Sequence, residues 1–223
     1  MRTVRSFVLR QGRLTSGQEA ALQSLWPRFG INASDKPFNF TEIFGRQAPV
    51  TLEIGFGNGD SLATMAKNAP ERDFVGIEVH RPGVGRLLHL IEEYDLKNLR
   101  VIKDDAVEII KNNIPEDSLD CVQLFFPDPW HKKKHNKRRI VQPNFVSLLA
   151  SRLQENGIFH MATDWQAYAE HMAEVMEAHA DFESISDSPY SAKPESRPET
   201  KFERRGLDRG HGVWDLLYRC SDK

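Results

Sequence analysis

Cysteine is scarce in this sequence of 223 residues: Cys121 and Cys220 are the only two, and both stand in apolar, strand-like runs. A disulfide framework is therefore excluded as the source of stability, and buried free thiols in a reducing compartment are expected. Long hydrophobic runs are absent too. None approaches the roughly 20 residues that a helix needs to cross a bilayer. The first residues lack the apolar stretch of a secretory signal, although Arg2, Arg5, Arg10 and Arg13 precede the first acid, Glu19. A cytoplasmic protein without a membrane anchor is the expectation. Neither charge is in excess: 30 Lys and Arg against 32 Asp and Glu leave a formal net charge of −2. That balance excludes coating of a polyanion by the whole surface, so any electrostatic partner must meet a local cluster.

What is present suffices for one large core, with 39% hydrophobic residues. Residues 1–30 read as a flexible basic arm followed by a short helix. Ser16 and Glu19 have capping-box spacing before AALQSLW, and Pro27 is placed to stop that helix. Residues 31–223 form the main domain, with the stretch to Pro49 as an irregular lead-in. From Thr51 onward, short apolar runs alternate with amphipathic stretches. VTLEIGFG, FVGIEVH, LRVIKD, LDCVQLFF and GIFHMATD read as strands, with SLATMAKNA, GVGRLLHLIEEYDL, AVEIIKNNI and PNFVSLLASRLQEN as the helices between them. Gly157 is placed as the C′ residue of the last of these. WQAYAEHMAEVMEAH is a further helix, and FESIS and VWDLLYRC are closing strands. This alternation means an α/β fold, a mostly parallel sheet covered on both faces. The two closing strands are separated by DSPYSAKPESRPETKFERRGLDRGHG, long enough for a compact domain to mark it as functional or mobile.

In open α/β sheets, ligands sit beyond the carboxyl ends of the strands, where strand order reverses. The first of these strands ends in Glu53-Ile-Gly55-Phe-Gly57-Asn-Gly59. Its glycines let the backbone turn tightly and approach a ligand. The nicotinamide fingerprint requires a further glycine where Asp60 stands, so that fingerprint fails. Glu53 would also repel a pyrophosphate, and a nucleoside with positive charge or many donors fits better. Glu78 ends the second strand about 20 residues beyond the turn, the spacing at which a carboxylate accepts from ribose hydroxyls. Asp105 ends the third, where it can accept from an exocyclic amine or cap a helix. This constellation resembles the class I S-adenosylmethionine-dependent methyltransferases. The similarity implies a single Rossmann-like domain of seven strands with a final antiparallel hairpin, Glu53 near the methionine end of the cofactor, Glu78 near its ribose and Asp105 near its adenine.

After the fourth strand comes PDPWHKKKHNKRR, residues 127–139. Pro127 and Pro129 fix φ around Asp128 and bias residues 126 and 128 toward extended backbone. Trp130 offers either a flat face for a base or an anchor beneath the loop. Six cations follow within eight residues, Lys132, Lys133, Lys134, Lys137, Arg138 and Arg139, where they would draw a polyanion to the methyl donor. His131 and His135 are four apart, but no cysteine or carboxylate set completes a metal site.

With ExGxGxG upstream, RSFVLRQGRLTSGQ at the start and TKFERRG (residues 200–206) downstream, this segment is similar to the bacterial tRNA (guanine-N7)-methyltransferases. The resemblance implies methyl transfer to N7 of a guanosine at position 46 in the variable loop of tRNA. It implies cofactor contacts at Glu53, Gly55, Gly57, Gly59, Glu78, Asp105 and Asp128, with Asp128 also catalytic. Substrate contacts fall on Lys132, Asp164, Thr200, Lys201, Phe202 and Glu203, and RNA contacts on Lys134, His135, Asn136, Lys137, Arg138 and Arg139. The family usually has arginine where Lys134 stands, so a bidentate phosphate fork is lost there. Asp164 directly precedes a helix, so an N-cap and a substrate contact are both open to it. Thr200 to Glu203 would form a lid over the substrate, with Glu203 or Asp128 accepting from the guanine. The partner is tRNA, no metal is required, and a monomer is expected, a homodimer being the alternative.

Overall fold

Residues 6–7, 12–200, 203–204, 210 and 212–221 are described in the computed structural model of the chain. Among them, eight strands form one sheet: β1 (Gly30–Ile31), β2 (Val50–Ile54), β3 (Asp73–Ile77), β4 (Leu99–Ile102), β5 (Leu119–Phe125), β6 (Leu153–Thr163), β7 (Phe182–Ser184) and β8 (Trp214–Cys220). Their order is β1-β4-β3-β2-β5-β6-β8-β7. All pairings from β1 to β6 are parallel, and β8 runs antiparallel to both β6 and β7. Strand order therefore reverses at β2, which lies between β3 and β5. The final hairpin is as expected. The strand count is eight instead of seven, because the Gly30–Ile31 stretch of the lead-in pairs with Val101–Ile102 at the sheet edge. Two residues are too few to carry an alternating pattern, so only the pairing reveals β1.

Every residue of β2 and β3 is buried, because helices cover both faces of a parallel sheet. Successive strand residues feed opposite cores: Phe74 and Val101 pack with α1 (Ser16–Ser24), α4 (Asp60–Asn68) and α5 (Arg81–Glu93). Val75 and Ile102 pack with α6 (Ala106–Asn112), α7 (Pro143–Arg152) and α8 (Gln166–Glu177). Met172 and Met176 are fully buried in the second of these cores.

Three local expectations are corrected. The capping box of α1 is Thr15 with Gln18, one residue ahead of the Ser16–Glu19 pair. Pro27 does not end a helix. It lies in the first turn of α2 (Trp26–Phe29), where its missing N–H leaves no bond unmade. Gly157 is not a helix C′ residue, because α7 stops at Arg152 and Gly157 lies within β6. Leu153 pairs with Leu119 and Ile158 with Cys121, and Asn156 takes a left-handed φ of 64° at the irregularity between them. Sheet pairing thus overrides the helical propensity of RLQEN.

Candidate active site

The turn after β2 is built on left-handed residues: φ is 73° at Gly55, 59° at Gly57 and 79° at Gly59. A Cβ at Gly55 would meet no protein atom within 4 Å, so that backbone borders open space. The space is a cavity of about 500 Å³ at the carboxyl ends of β2 to β5, where strand order reverses. Glu53, Gly55, Gly57, Gly59, Glu78, Asp105, Asp128 and Thr200 all line it. Ser6 and Phe7, from a segment read only as a flexible arm, line it as well.

Glu53 is 4% exposed, and its Oε2 has no hydrogen-bond partner. Burial, with the nearby Glu78 carboxylate, pushes its pKa up to about 8. A buried acid with an idle oxygen fits a ligand that brings a cationic donor. Glu78 accepts from three backbone amides, Gly57 N at 2.9 Å, Val79 N at 2.7 Å and His80 N at 2.9 Å. It therefore fixes the glycine turn while lining the cavity with one acceptor site still to give, on Oε2. Asp105 caps α6 through Val107 N at 3.0 Å and lines the cavity, so the cap and the ligand role coexist.

Asp128 is exposed at the cavity rim, on a loop that leaves β5 through a sharp bend. Phe126 has φ 51° and Trp130 φ 47°, both left-handed. The extended backbone expected at residue 126 is thereby corrected: tertiary contacts hold Phe126 in a conformation that costs energy for a bulky residue. Trp130 is an anchor, since its indole N–H donates to Ser6 O at 3.1 Å and the Arg138 guanidinium covers its ring at 3.7 Å. Arg139 does not face RNA. It is 5% exposed, donates to the Pro129 and Ala167 carbonyls at 3.0 and 3.2 Å, and stacks on Tyr168. Lys132, Lys133, Lys134 and Lys137 remain exposed on and beside the short 3-10 helix Lys133–Arg138, with His135 and Asn136 half-buried in it. His131 packs edge-on to Trp165 with ring centroids 4.2 Å apart.

Asp164 does not cap α8. The N-cap is Trp165, and Asp164 makes no hydrogen bond or ion pair with the described residues. Lys201 and Phe202 lie outside the described residues. Glu203 is not available as a guanine acceptor: it is 4% exposed and both oxygens are taken up by Arg197, Lys193 and Thr200 N. Among the described residues, no three His, Cys, Asp or Glu side chains converge as metal ligands. No helix among them is long and apolar enough to cross a membrane.

The Methyltransf_4 family model, which describes methyltransferases, matches residues 47–216. A tRNA (guanine-N(7)-)-methyltransferase of Alcanivorax borkumensis is 62% identical over 219 residues, covering 98% of this chain and 92% of that protein. One from Idiomarina loihiensis is 58% identical over 222 residues, covering 99% and 91%. The chain belongs to the tRNA (guanine-N7)-methyltransferase family. Its fold is shared with the 16S rRNA methyltransferase KamB at a TM-score of 0.61 and 16% identity, covering 82% of this chain and 93% of that one.

Membership of this family makes S-adenosylmethionine the cofactor, and the cavity suits it: an unpartnered buried acid, an open glycine turn and strand-end acids surround one space. Sequence reasoning missed the group beneath that space, Arg197 with Asp215 and His160. All three are buried, at 2%, 3% and 5% exposure. The available signal was two polar residues, His160 and Asp215, inside runs otherwise read as core strands.

Proposed function

We infer that this chain transfers a methyl group from S-adenosylmethionine to N7 of a guanosine in tRNA, at position 46 of the variable loop. The observation that carries the reading is an exposed carboxylate, Asp128, fixed at the rim of the cavity and followed at once by exposed lysines. Bound there, the cofactor supplies an electrophilic methyl on a sulfonium. Glu53 would accept from its amine, Glu78 from its ribose and Asp105 from its adenine.

Guanine N7 carries a lone pair and no proton, so these residues need not include a general base. As the purine becomes cationic, its N1–H and N2–H₂ groups become stronger donors. Asp128 accepts that bond and strengthens it in the transition state. Asp164, which makes no hydrogen bond or ion pair with the described residues, is the second acceptor we assign to the base, in the place expected of Glu203. Lys132, Lys134 and Lys137 hold phosphates, and Thr200, which lines the cavity, borders the base. Positioning supplies most of the acceleration. The reading places the enzyme in the cytoplasm, in keeping with the free thiols of Cys121 and Cys220. We take it to act as a monomer, a homodimer being the alternative.

Incubation with unmodified tRNA and labelled cofactor should place one methyl on the transcript, and reduction followed by aniline should cut it at a single guanosine. A transcript with 7-deazaguanine has carbon where N7 was, and should still bind while accepting no methyl. Methyl transfer to the deaza transcript would mean that another atom is attacked.

A further inference from the structure

Beneath the cavity lies an ion cluster assigned no part so far. The Arg197 guanidinium presents two forks at once. Nε and Nη2 donate to Asp215 Oδ1 and Oδ2 at 2.7 and 2.8 Å. Nη1 and Nη2 donate to Glu203 Oε2 and Oε1 at 2.7 and 3.1 Å. Asp215 Oδ1 also lies 2.8 Å from His160 Nε2. Burial holds the His160 imidazole below its usual pKa despite that contact, so it stands neutral and donates. Lys193 Nζ, 3.1 Å from Glu203, completes the set, in which two cations balance two carboxylates.

Both sides of the active site meet this cluster. Glu203 and Thr200 bond each other reciprocally: Glu203 N donates to Thr200 Oγ1 at 3.1 Å, and Thr200 N to Glu203 Oε2 at 3.3 Å. Thr200 and Glu199 line the same cavity as Asp128. On the other side, the guanidinium lies 5.7 Å from the Phe125 ring and 5.8 Å from the Phe126 ring. Phe126 is the left-handed residue that launches Pro127-Asp128-Pro129. His160 packs edge-on to Phe125 at 4.9 Å, so the floor of the loop is braced from the same cluster. Removing three charges, those of Arg197, Asp215 and Glu203, into the interior is costly unless geometry and pairing are good. A cheaper apolar contact would hold a loop to a sheet but would not fix its angle. Two forks on one planar cation do fix it.

We propose that Arg197 is a positioning residue for methyl transfer: it sets Thr200 relative to Asp128 in the cavity both line by holding Glu203 and the Phe126 bend together. It touches neither cofactor nor base, and Glu203 acts through Thr200 and not as a guanine acceptor. The proposal rests on the methyltransferase reading above.

The test is Arg197→Lys, which keeps the charge but cannot make two forks. At saturating cofactor and tRNA, the single-turnover rate should fall at least about tenfold, since small misplacements of a reacting pair are costly. Dissociation constants for cofactor and tRNA, measured separately, should stay within about twofold of wild type because neither ligand touches Arg197. Glu203→Gln keeps the Asp215 fork and should show the same split. In the double variant the two losses should not multiply, as expected of residues acting as one unit. Should Arg197→Lys not fold, Glu203→Gln carries the rate and affinity comparison alone. An unchanged saturating rate would overturn the proposal. So would rate and both affinities falling together, which is what a merely structural role predicts. A wild-type enzyme that leaves tRNA unmethylated would instead sink the functional reading.

Discussion

Glu53 is a carboxyl folded out of water with one oxygen idle, and its energetics follow from that. Its pKa stands at about 8 in the folded chain against an ordinary 4.5. Between those values the unfolded chain has lost a proton that the folded chain keeps. Folding stability therefore falls as pH rises through that window, by up to about 1.4 kcal/mol per pH unit from this group. Urea unfolding of the ligand-free protein at pH 6 and pH 7.5 should show that loss, and Glu53→Gln should remove it. Saturating cofactor should flatten it too, because a cationic donor beside Glu53 favours the ionised form. A slope that survives in Glu53→Gln would assign it elsewhere. Asp128 differs in being exposed. Asp128→Asn keeps the shape and loses the charge that favours a cationic purine, so turnover should drop at least about 100-fold. Activity within a few-fold of wild type would remove its catalytic assignment. That these acids would line one space was legible in the sequence, because each stands at or just beyond the end of a strand. Arg197, Asp215 and His160 were not, because their pairings span 18 and 55 residues and exist only once β6 and β8 lie side by side.

At the scale of elements, the basic run divides in two. Lys132, Lys133, Lys134 and Lys137 are exposed, whereas Arg138 covers Trp130 and Arg139 is buried under Pro129 and Ala167. Composition could show six cations near the catalytic loop but not which of them the loop keeps for itself. Replacing the four lysines with Ala should flatten the plot of log affinity for tRNA against log salt by about 3 to 4, one counterion per lost contact. Arg139→Ala should leave that slope intact and instead destabilise the loop. Equal slopes in the lysine variant and the wild type would locate the RNA on another face. The other misreadings at this scale share a cause. The ends of α1 and α7 and the two-residue β1 are decided by pairings and caps to which local propensity is blind.

For the molecule as a whole, alternating apolar and amphipathic stretches were enough to give a mostly parallel sheet, while its closing hairpin was implied by the family resemblance. The sheet's arrangement also sets a sequence of events during synthesis. Strands β2 to β6 can pair as they are made, since each finds its partners among themselves and β1. β7 cannot, because its only partner among the described strands is β8, which follows it in the chain and lies between it and β6. Arg197 is likewise translated before Asp215. On a ribosome that has finished β6 but not β8, the cofactor turn and the acid-bearing loop can already exist, while Arg197 still lacks the Asp215 carboxylate that it grips. A growing chain can thus acquire its cofactor pocket well before it can act on RNA.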